Sequence, residues 1–478
     1  MKNHILIIFL SLNLISCMGI PKLKEEPTKS LVQTIAPQNS KIVFQSDQWW
    51  LNSKDEKLNA LITEVLSKNS KIQVARLNLE KAMSTLESTR SANLSPINLT
   101  GNLTRSHMTG THVSTDLDLD DDDFQSNGTA YIGSLSIQAQ YTLDLWDKFE
   151  SLTKQAEYSK LANELQEKWT ILNISTLVTN LYGKYIFISK EIDILEEKLI
   201  ISKEIESLQN TLYSTGLSDK NALLNAKNNV QSTKQTLSNL ENSKFALKNS
   251  FFSLIGDVKS PIIEKVLNEV ESNKTNFNYF FSTPEYINSD IIINRPDIQY
   301  FLAIINSQKE KITSMKADFY PQFAISGKYE YQSIDILNLI NGSTNLWGIG
   351  PSIYLPLFNR NVLEQNYKIA GTDLNIFIEN YNNNLVEAYL EANNNLNSLK
   401  VSQTNNQMEK TKFSNSEEIF NDNLTLYNVG SISKYNYLVF KNQYLNDKLN
   451  FIESNYNLYK NQVSMISALG GYYKEEVK

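Results

Sequence analysis

YIGSLSIQAQYTLDL, residues 131 to 145, is the stretch on which the fold turns. Tyr131, Leu135, Ile137, Tyr141 and Leu143 alternate with Ser134, Ser136, Gln138, Gln140, Thr142 and Asp144, giving one apolar and one wet face along a single strand. Its length is what a tilted membrane-crossing strand requires. Immediately after it, Lys148 to Tyr213 runs without a proline. As a helix those 66 residues would reach about 100 Å, and no compact globule contains such a rod. A surface hairpin of a soluble sheet is the other reading of the strand alone.

The same pattern recurs on either side. INLTGNLTRS (97–106) and FAISGKYEY (323–331) alternate in the same way, and LWGIGPSIYLPLF (346–358) does so less cleanly, with Trp347, Ile349, Ile353 and Leu355 on one face. Strands are expected at about 96–107, 129–144, 322–332 and 346–356. NSKIQVARLNLEKAMSTLESTRSANLSP (69–96) parallels RPDIQYFLAIINSQKEKITSMKADFYP (295–321), with Gln73 matching Gln299. YSTGLSDKNALL (213–224) parallels YNVGSISKYNYL (427–438), and Gly216 and Gly430 lie 214 residues apart. Two tandem repeats follow, 51–270 and 271–469, preceded by 1–16 and 17–50 and followed by a tail, 470–478; the period is too long for a solenoid.

Each half reads as helix, two strands, very long helix, turn, second helix. Helices are expected over 55–67 and 71–93, the latter capped by Asn69 or Ser70, and over 296–319, opened by Arg295-Pro296-Asp297 with Pro preorganised for the first turn and Asp complementing the N-terminus. The long hairpins span 148–255 and 360–469. The helices 71–93 and 217–255 together match the length of the single helix 148–213, which suggests antiparallel coiled-coil packing along it, with Leu161, Leu165, Leu172 and Leu177 at compatible positions though not in a clean heptad.

Composition narrows the class. The net charge of −7 gives a nucleic-acid partner no electrostatic support. No window holds eighteen consecutive apolar residues, so a membrane can be entered only as strands closed into a barrel. Four strands per chain cannot close a barrel, so the chain must oligomerise. Two copies would give eight strands and a filled interior, three would give twelve and a lumen, and symmetry alone does not choose. The fold class expected is α+β, with strands that would enter a membrane only as a barrel shared between copies, and long antiparallel helical coiled coils.

The leader MKNHILIIFLSLNLIS pairs Lys2 with the apolar run Ile5 to Leu12, too short to span a bilayer, and reads as a signal peptide. Leu14-Ile15-Ser16-Cys17 resembles the bacterial lipobox, in which the thiol is acylated and cleavage leaves Cys17 as the new N-terminus. No second cysteine exists to pair with it. An ordinary secretory leader that happens to hold a Cys is the bland alternative. By the same resemblance, Met18 rather than Asp after the Cys favours the outer membrane.

WW at 49–50, YTLDLWDKF at 141–149, RPDI at 295–298, DFYPQFAISG at 318–327 and WGIGPSIYLPLFN at 347–359 resemble the characteristic segments of the TolC/OprM outer-membrane efflux proteins, in particular the lipid-anchored branch that works with RND pumps. The resemblance covers nearly the whole mature chain. It implies a homotrimer with a twelve-stranded barrel in the outer membrane and a helical tunnel through the periplasm. It also implies a periplasmic adaptor and an inner-membrane RND-type pump as partners, and no cofactor beyond covalent lipid on Cys17.

Gly216 and Gly430 allow the positive φ that ends a helix and reverses the chain. By resemblance the turns around Gly216-Leu217 and Gly430-Ser431 are the periplasmic tips, which meet the adaptor and form the closed entrance. Asp219 and Lys220 are charged candidates for that contact. Family members often place Asp six residues past the second Gly; here Asn436 stands there, with Ala222 equivalent in the first half, so no acidic ring is expected. DLDLDDDD (116–123) reads as a solvated external loop lacking the turn glycine of a calcium site, and His107 and His112 make a poor metal pair. No Ser/His/Asp set, phosphate loop or convergent carboxylate pair is present, so an enzyme is not expected. The reading is a passive exit duct of a tripartite efflux system. Its rivals are a duct for type I protein secretion and a structural coiled-coil lipoprotein.

Overall fold

The structure, a computed structural model, describes residues 48–92, 96–108, 128–272, 275–284, 289–333, 344–356 and 358–471, together with Ile20, Leu23 and Ile287. After a short 3-10 turn at Trp49–Ser53, the elements are α1 (Glu56–Lys68), α2 (Ser70–Ala92), β1 (Ile97–Met108), β2 (Gly128–Leu143), α3 (Lys148–Ser214) and α4 (Lys220–Ile255). There follow α5 (Pro261–Ser272), α6 (Ser289–Ile293), α7 (Pro296–Ala317), β3 (Gln322–Ser333), β4 (Thr344–Tyr354), α8 (Arg360–Asn428) and α9 (Lys434–Ala468). The order helix, hairpin, long helix, second helix therefore occurs twice.

Two compact units draw on both halves of the chain. Among the described residues the first is formed from 81–160 and 303–378, and the second from 48–80, 161–302 and 379–471. The first unit holds a four-stranded antiparallel sheet of order β1-β2-β3-β4, so β2 of one half pairs with β3 of the other and β1 and β4 are its edges. Register aligns Leu99, Ile137, Tyr329 and Trp347 in one row and Asn98, Gln138, Lys328 and Gly348 in the next. Because side chains alternate, the first row stands on the apolar face and the second on the polar face. The apolar face is bare: Ile97, Leu99, Trp347 and Ile349 are each at least two-thirds exposed. In the same unit α2 lies along α3 through Arg90 and Glu157 at 2.8 Å.

The second unit is held by one large core. Trp49 and Trp50 pack with Leu58, Ile62 and Val65 of α1, Tyr182 and Ile186 of α3, Phe251 of α4, Ile263 and Leu267 of α5, and Tyr459 and Val463 of α9. The Tyr459 ring sits so close to Gly183 that a β-carbon there would lie 2.7 Å from Cδ1, so glycine lets α9 approach α3. Asn69 caps α2 by accepting from Lys71 and Ile72 N–H, and its amide donates to Leu254 O at 2.6 Å. The start of α2 thus meets the end of α4, the end-to-end order that the helix lengths suggest.

Several boundaries differ from the sequence reading. The helix expected over 296–319 ends at Ala317, because Asp318, Phe319 and Tyr320 form a turn ahead of Pro321, a residue that disfavours helix before it. The strand expected to 356 ends at Tyr354, leaving Leu355 beyond it, and the helix expected from 217 starts at Lys220. Leu161 and Leu177 are exposed while Leu172 is buried. The packed face of α3 therefore does not keep one heptad register along its length.

Candidate functional site

The two helix-hairpin tips are built alike. At the end of α3, Gly216 takes φ +74° and donates its N–H to Tyr213 O at 3.0 Å, while Leu217 N–H reaches Leu212 O at 2.8 Å. At the end of α8, Gly430 takes φ +78°, with its N–H on Tyr427 O at 3.0 Å and Ser431 N–H on Leu426 O at 2.8 Å. A left-handed residue after the helix lets two N–H groups satisfy its last carbonyls. Three residues on, Asp219 Oδ1 accepts from Ala222 N–H at 2.8 Å and Ser433 Oγ from Asn436 N–H at 3.2 Å. Ala222 and Asn436 therefore hold the same position, third in their helices. The Asp219 carboxylate works first as a helix cap, and Lys220 follows it, exposed, as the first residue of α4. Leu217 and Val429, 77% and 70% exposed, give each tip an apolar point.

Away from the turns the hairpins diverge. Phe413, Phe420 and Tyr427 stand seven apart on α8, and Tyr437, Tyr444 and Phe451 seven apart on α9. They join in one stack, with centroids 4.7 Å apart for Tyr427–Tyr437, 4.9 Å for Phe420–Tyr444 and 5.5 Å for Phe413–Phe451. The positions 214 residues earlier hold Leu199, Glu206, Tyr213, Leu223, Val230 and Leu237, which cannot repeat it. Between α3 and α9, Ile194, Ile201, Leu438 and Leu445 form a buried cluster flanked by Glu197–Lys441 at 2.8 Å and Glu204–Lys434 at 2.9 Å. Burial would lower the Lys441 pKa, but its bond to Glu197 holds it above the ordinary value.

Arg295 is a node rather than only a helix start. Its side chain, 4% exposed, grips Asp297 with two nitrogens at 3.1 and 2.9 Å, reaches Glu391 at 2.9 Å and donates to Ala468 O at 2.7 Å. The guanidinium carbon lies 5.4 Å from the Trp169 ring centroid. Burial alone would lower its pKa; Asp297 and Glu391 outweigh this and raise it. Gly470, at φ +71°, allows the close approach, since a β-carbon there would lie 3.0 Å from Arg295 Cα. Arg295 to Ala468 O repeats Asn69 to Leu254 O at the equivalent places. Likewise Gln299 bonds Ile293 O as Gln73 bonds Ser67 O. In the sheet unit, Trp146 stacks on Tyr320 at 4.6 Å and donates to Pro321 O, Lys148 pairs with Asp318 at 2.7 Å, and Asp144 accepts from Phe149 and Glu150 N–H. The β2-to-α3 junction of one half is thereby tied to the α7-to-β3 junction of the other.

The outer membrane efflux protein family matches residues 61–256 and 288–471. The chain belongs to the outer membrane efflux protein family. It is 23% identical over 453 residues to toxin and drug export protein A of Aggregatibacter actinomycetemcomitans, covering 89% of each chain. It is 24% identical over 450 residues to the probable efflux pump outer membrane protein TtgC of Pseudomonas putida, covering 92% of this chain and 88% of that one. The Campylobacter jejuni CmeC outer membrane channel superposes with a TM-score of 0.75 at 20% identity, over 96% of this chain and 95% of that one. The chain is an efflux channel and not an enzyme.

In this efflux protein the residues singled out from the sequence fall into three places. Gly216, Leu217, Asp219, Lys220, Gly430, Ser431 and Asn436 lie at the tips. Arg295, Pro296 and Asp297 lie at the node. Cys17, His112 and the acidic stretch 116–123 lie outside the described residues, and His107 sits in β1 opposite Thr129. Among the described residues no group of three or more His, Cys, Asp or Glu is placed to hold a metal, and no helix is long and apolar enough to cross a membrane. Sequence reading missed the aromatic stack and the α3–α9 charge pairs. Their seven-residue spacing was the available signal.

Proposed function

We propose that three copies of the chain pair β1 of one with β4 of the next and close a twelve-stranded barrel in the outer membrane, with the helical hairpins as a tunnel toward the periplasm. One observation carries this reading. The sheet has an apolar face, a polar face and two unpaired edges, and only closure between copies removes edges that lipid cannot satisfy. The equivalent bonds of Asn69 and Arg295, and of Gln73 and Gln299, support a tandem duplication of one helix–hairpin–helix unit. Cys17 carries the lipid that tethers the chain to the membrane, and more than one acyl chain makes such anchoring stable. An inner-membrane RND-type pump and a periplasmic adaptor load the duct, the adaptor docking on the Gly216 and Gly430 tips. The name of the Aggregatibacter relative pairs toxin with drug export, and a duct for type I protein secretion is the second reading.

The test is the oligomeric mass of purified protein in detergent, followed by conductance in planar bilayers. A trimer giving small, mostly closed currents that grow when Asn436 is changed to Gly supports the duct. A monomer without conductance sinks it and leaves a coiled-coil lipoprotein. Release from the membrane by Cys17→Ser, with loss of incorporated palmitate, tests the anchor.

A further inference from the structure

The polar face of the sheet carries little charge. Its side chains come from Asn98, Thr100, Asn102 and Thr104 of β1 and from the register partners of these residues. Among the described strand residues only Lys328 and Glu330 are charged on this face. They stand two apart on β3, and Lys328 Nζ lies 2.6 Å from Glu330 Oε2. Lys328 is flanked across the strands by Gln138 and Gly348, and Glu330 by Ser136 and Leu346. Gly348 and the next residue on that face, Gly350, have open space where a side chain would stand, so the Lys328 side chain borders free volume and is 44% exposed. The carboxylate is the more covered partner, at 17%.

We propose that Lys328 and Glu330 set the charge selectivity of the strand-lined part of the duct. This rests on the barrel reading above, which turns the polar face inward. Each pair neutralises itself, so three copies leave this section of the lumen without net charge. Solutes of either sign then pass it on equal terms. Removing one partner leaves three like charges facing the same water. Their field reaches little beyond about 8 Å at 0.15 M salt but about 30 Å at 0.01 M, so the effect belongs to low ionic strength.

The experiment is the potassium-to-chloride permeability ratio of bilayer-inserted full-length protein, in potassium chloride gradients at low and at molar salt. At low salt, Glu330→Gln moves the ratio toward chloride and Lys328→Gln toward potassium, each by about three-fold or more. The double variant returns to the wild-type ratio, and molar salt abolishes the shifts. If Glu330→Gln does not assemble, Lys328→Gln alone carries the test, with a shift toward potassium expected at low salt and none at molar salt. Conducting single variants with an unchanged ratio overturn the assignment and leave the pair as a strand-stabilising contact. A wild-type protein that neither trimerises nor conducts overturns the barrel reading and this assignment with it. The two failures differ in mass and current.

Discussion

At the scale of single residues, buried polar groups hold the second unit in register. Arg295 satisfies Asp297, Glu391 and the Ala468 carbonyl at once. Lysine cannot present two parallel nitrogens to Asp297 while reaching a third partner. Arg295→Lys is therefore expected to cost about 2–4 kcal/mol in thermal or denaturant unfolding, and Asn69→Ala, which breaks the neutral counterpart, about 1–2 kcal/mol. Tyr182 donates to Asp55 at 2.9 Å, and Asp55 also caps α1 through Lys57 and Leu58 N–H. Burial, then the Asp55 charge, holds the Tyr182 pKa far above its ordinary value of 10.0. A raised folded pKa gives stability that is full below the unfolded value and lost as pH rises past it. The unfolding temperature should fall from about pH 10 upward, and Tyr182→Phe should flatten that fall while lowering stability by about 1–3 kcal/mol at neutral pH.

At the scale of elements, the two tips share a turn but differ in what lies behind it. Asp219→Ala and Ser433→Ala each remove a helix cap, worth about 1 kcal/mol, and should speed hydrogen exchange in the first turn of their own helix only. Phe420→Ala should do more. It removes the central rung between Tyr437 and Tyr444, so faster exchange is expected along α8 and α9 over several turns, with α4 unaffected. Uniform exchange at both hairpins would sink the idea that the stack stiffens one of them. Much at this scale was legible in the sequence. The period-two strands, the proline-free helices and the glycines 214 residues apart sit where they were read, because alternation, proline and positive φ act locally. The stack was harder to read. Phe413, Phe420 and Tyr427 show their spacing in the chain, but only the antiparallel partner places Phe451 beside Phe413. The role of Arg295 was hidden for the same reason, since Glu391 and Ala468 lie 96 and 173 residues away. The short α5 and α6 went unread because a single turn or three of amphipathic helix gives little pattern among loop residues.

At the scale of the molecule, the edges of the sheet decide what the chain must do. β1 and β4 each have one hydrogen-bonded neighbour, and Ile97, Leu99, Trp347, Ile349 and Ile353 beside them are bare. An isolated chain would present both open backbone and apolar side chains, a combination stable neither in water nor in lipid. Pro351 already sits in β4, as sheets allow on an edge strand, and leaves one side of it a donor short. Residues two apart turn their N–H groups to the same side of a strand. Ile349→Pro would remove a second donor from that side while keeping an apolar side chain on the apolar face. If neighbouring copies close the barrel through that seam, the oligomer should disappear from unheated detergent gels, while circular dichroism retains most of the helical signal of the second unit. Loss of helix and oligomer together would mean that the helices depend on closure. An oligomer unchanged by Ile349→Pro would mean that copies meet through their helices alone, and the strand edges would then need another cover.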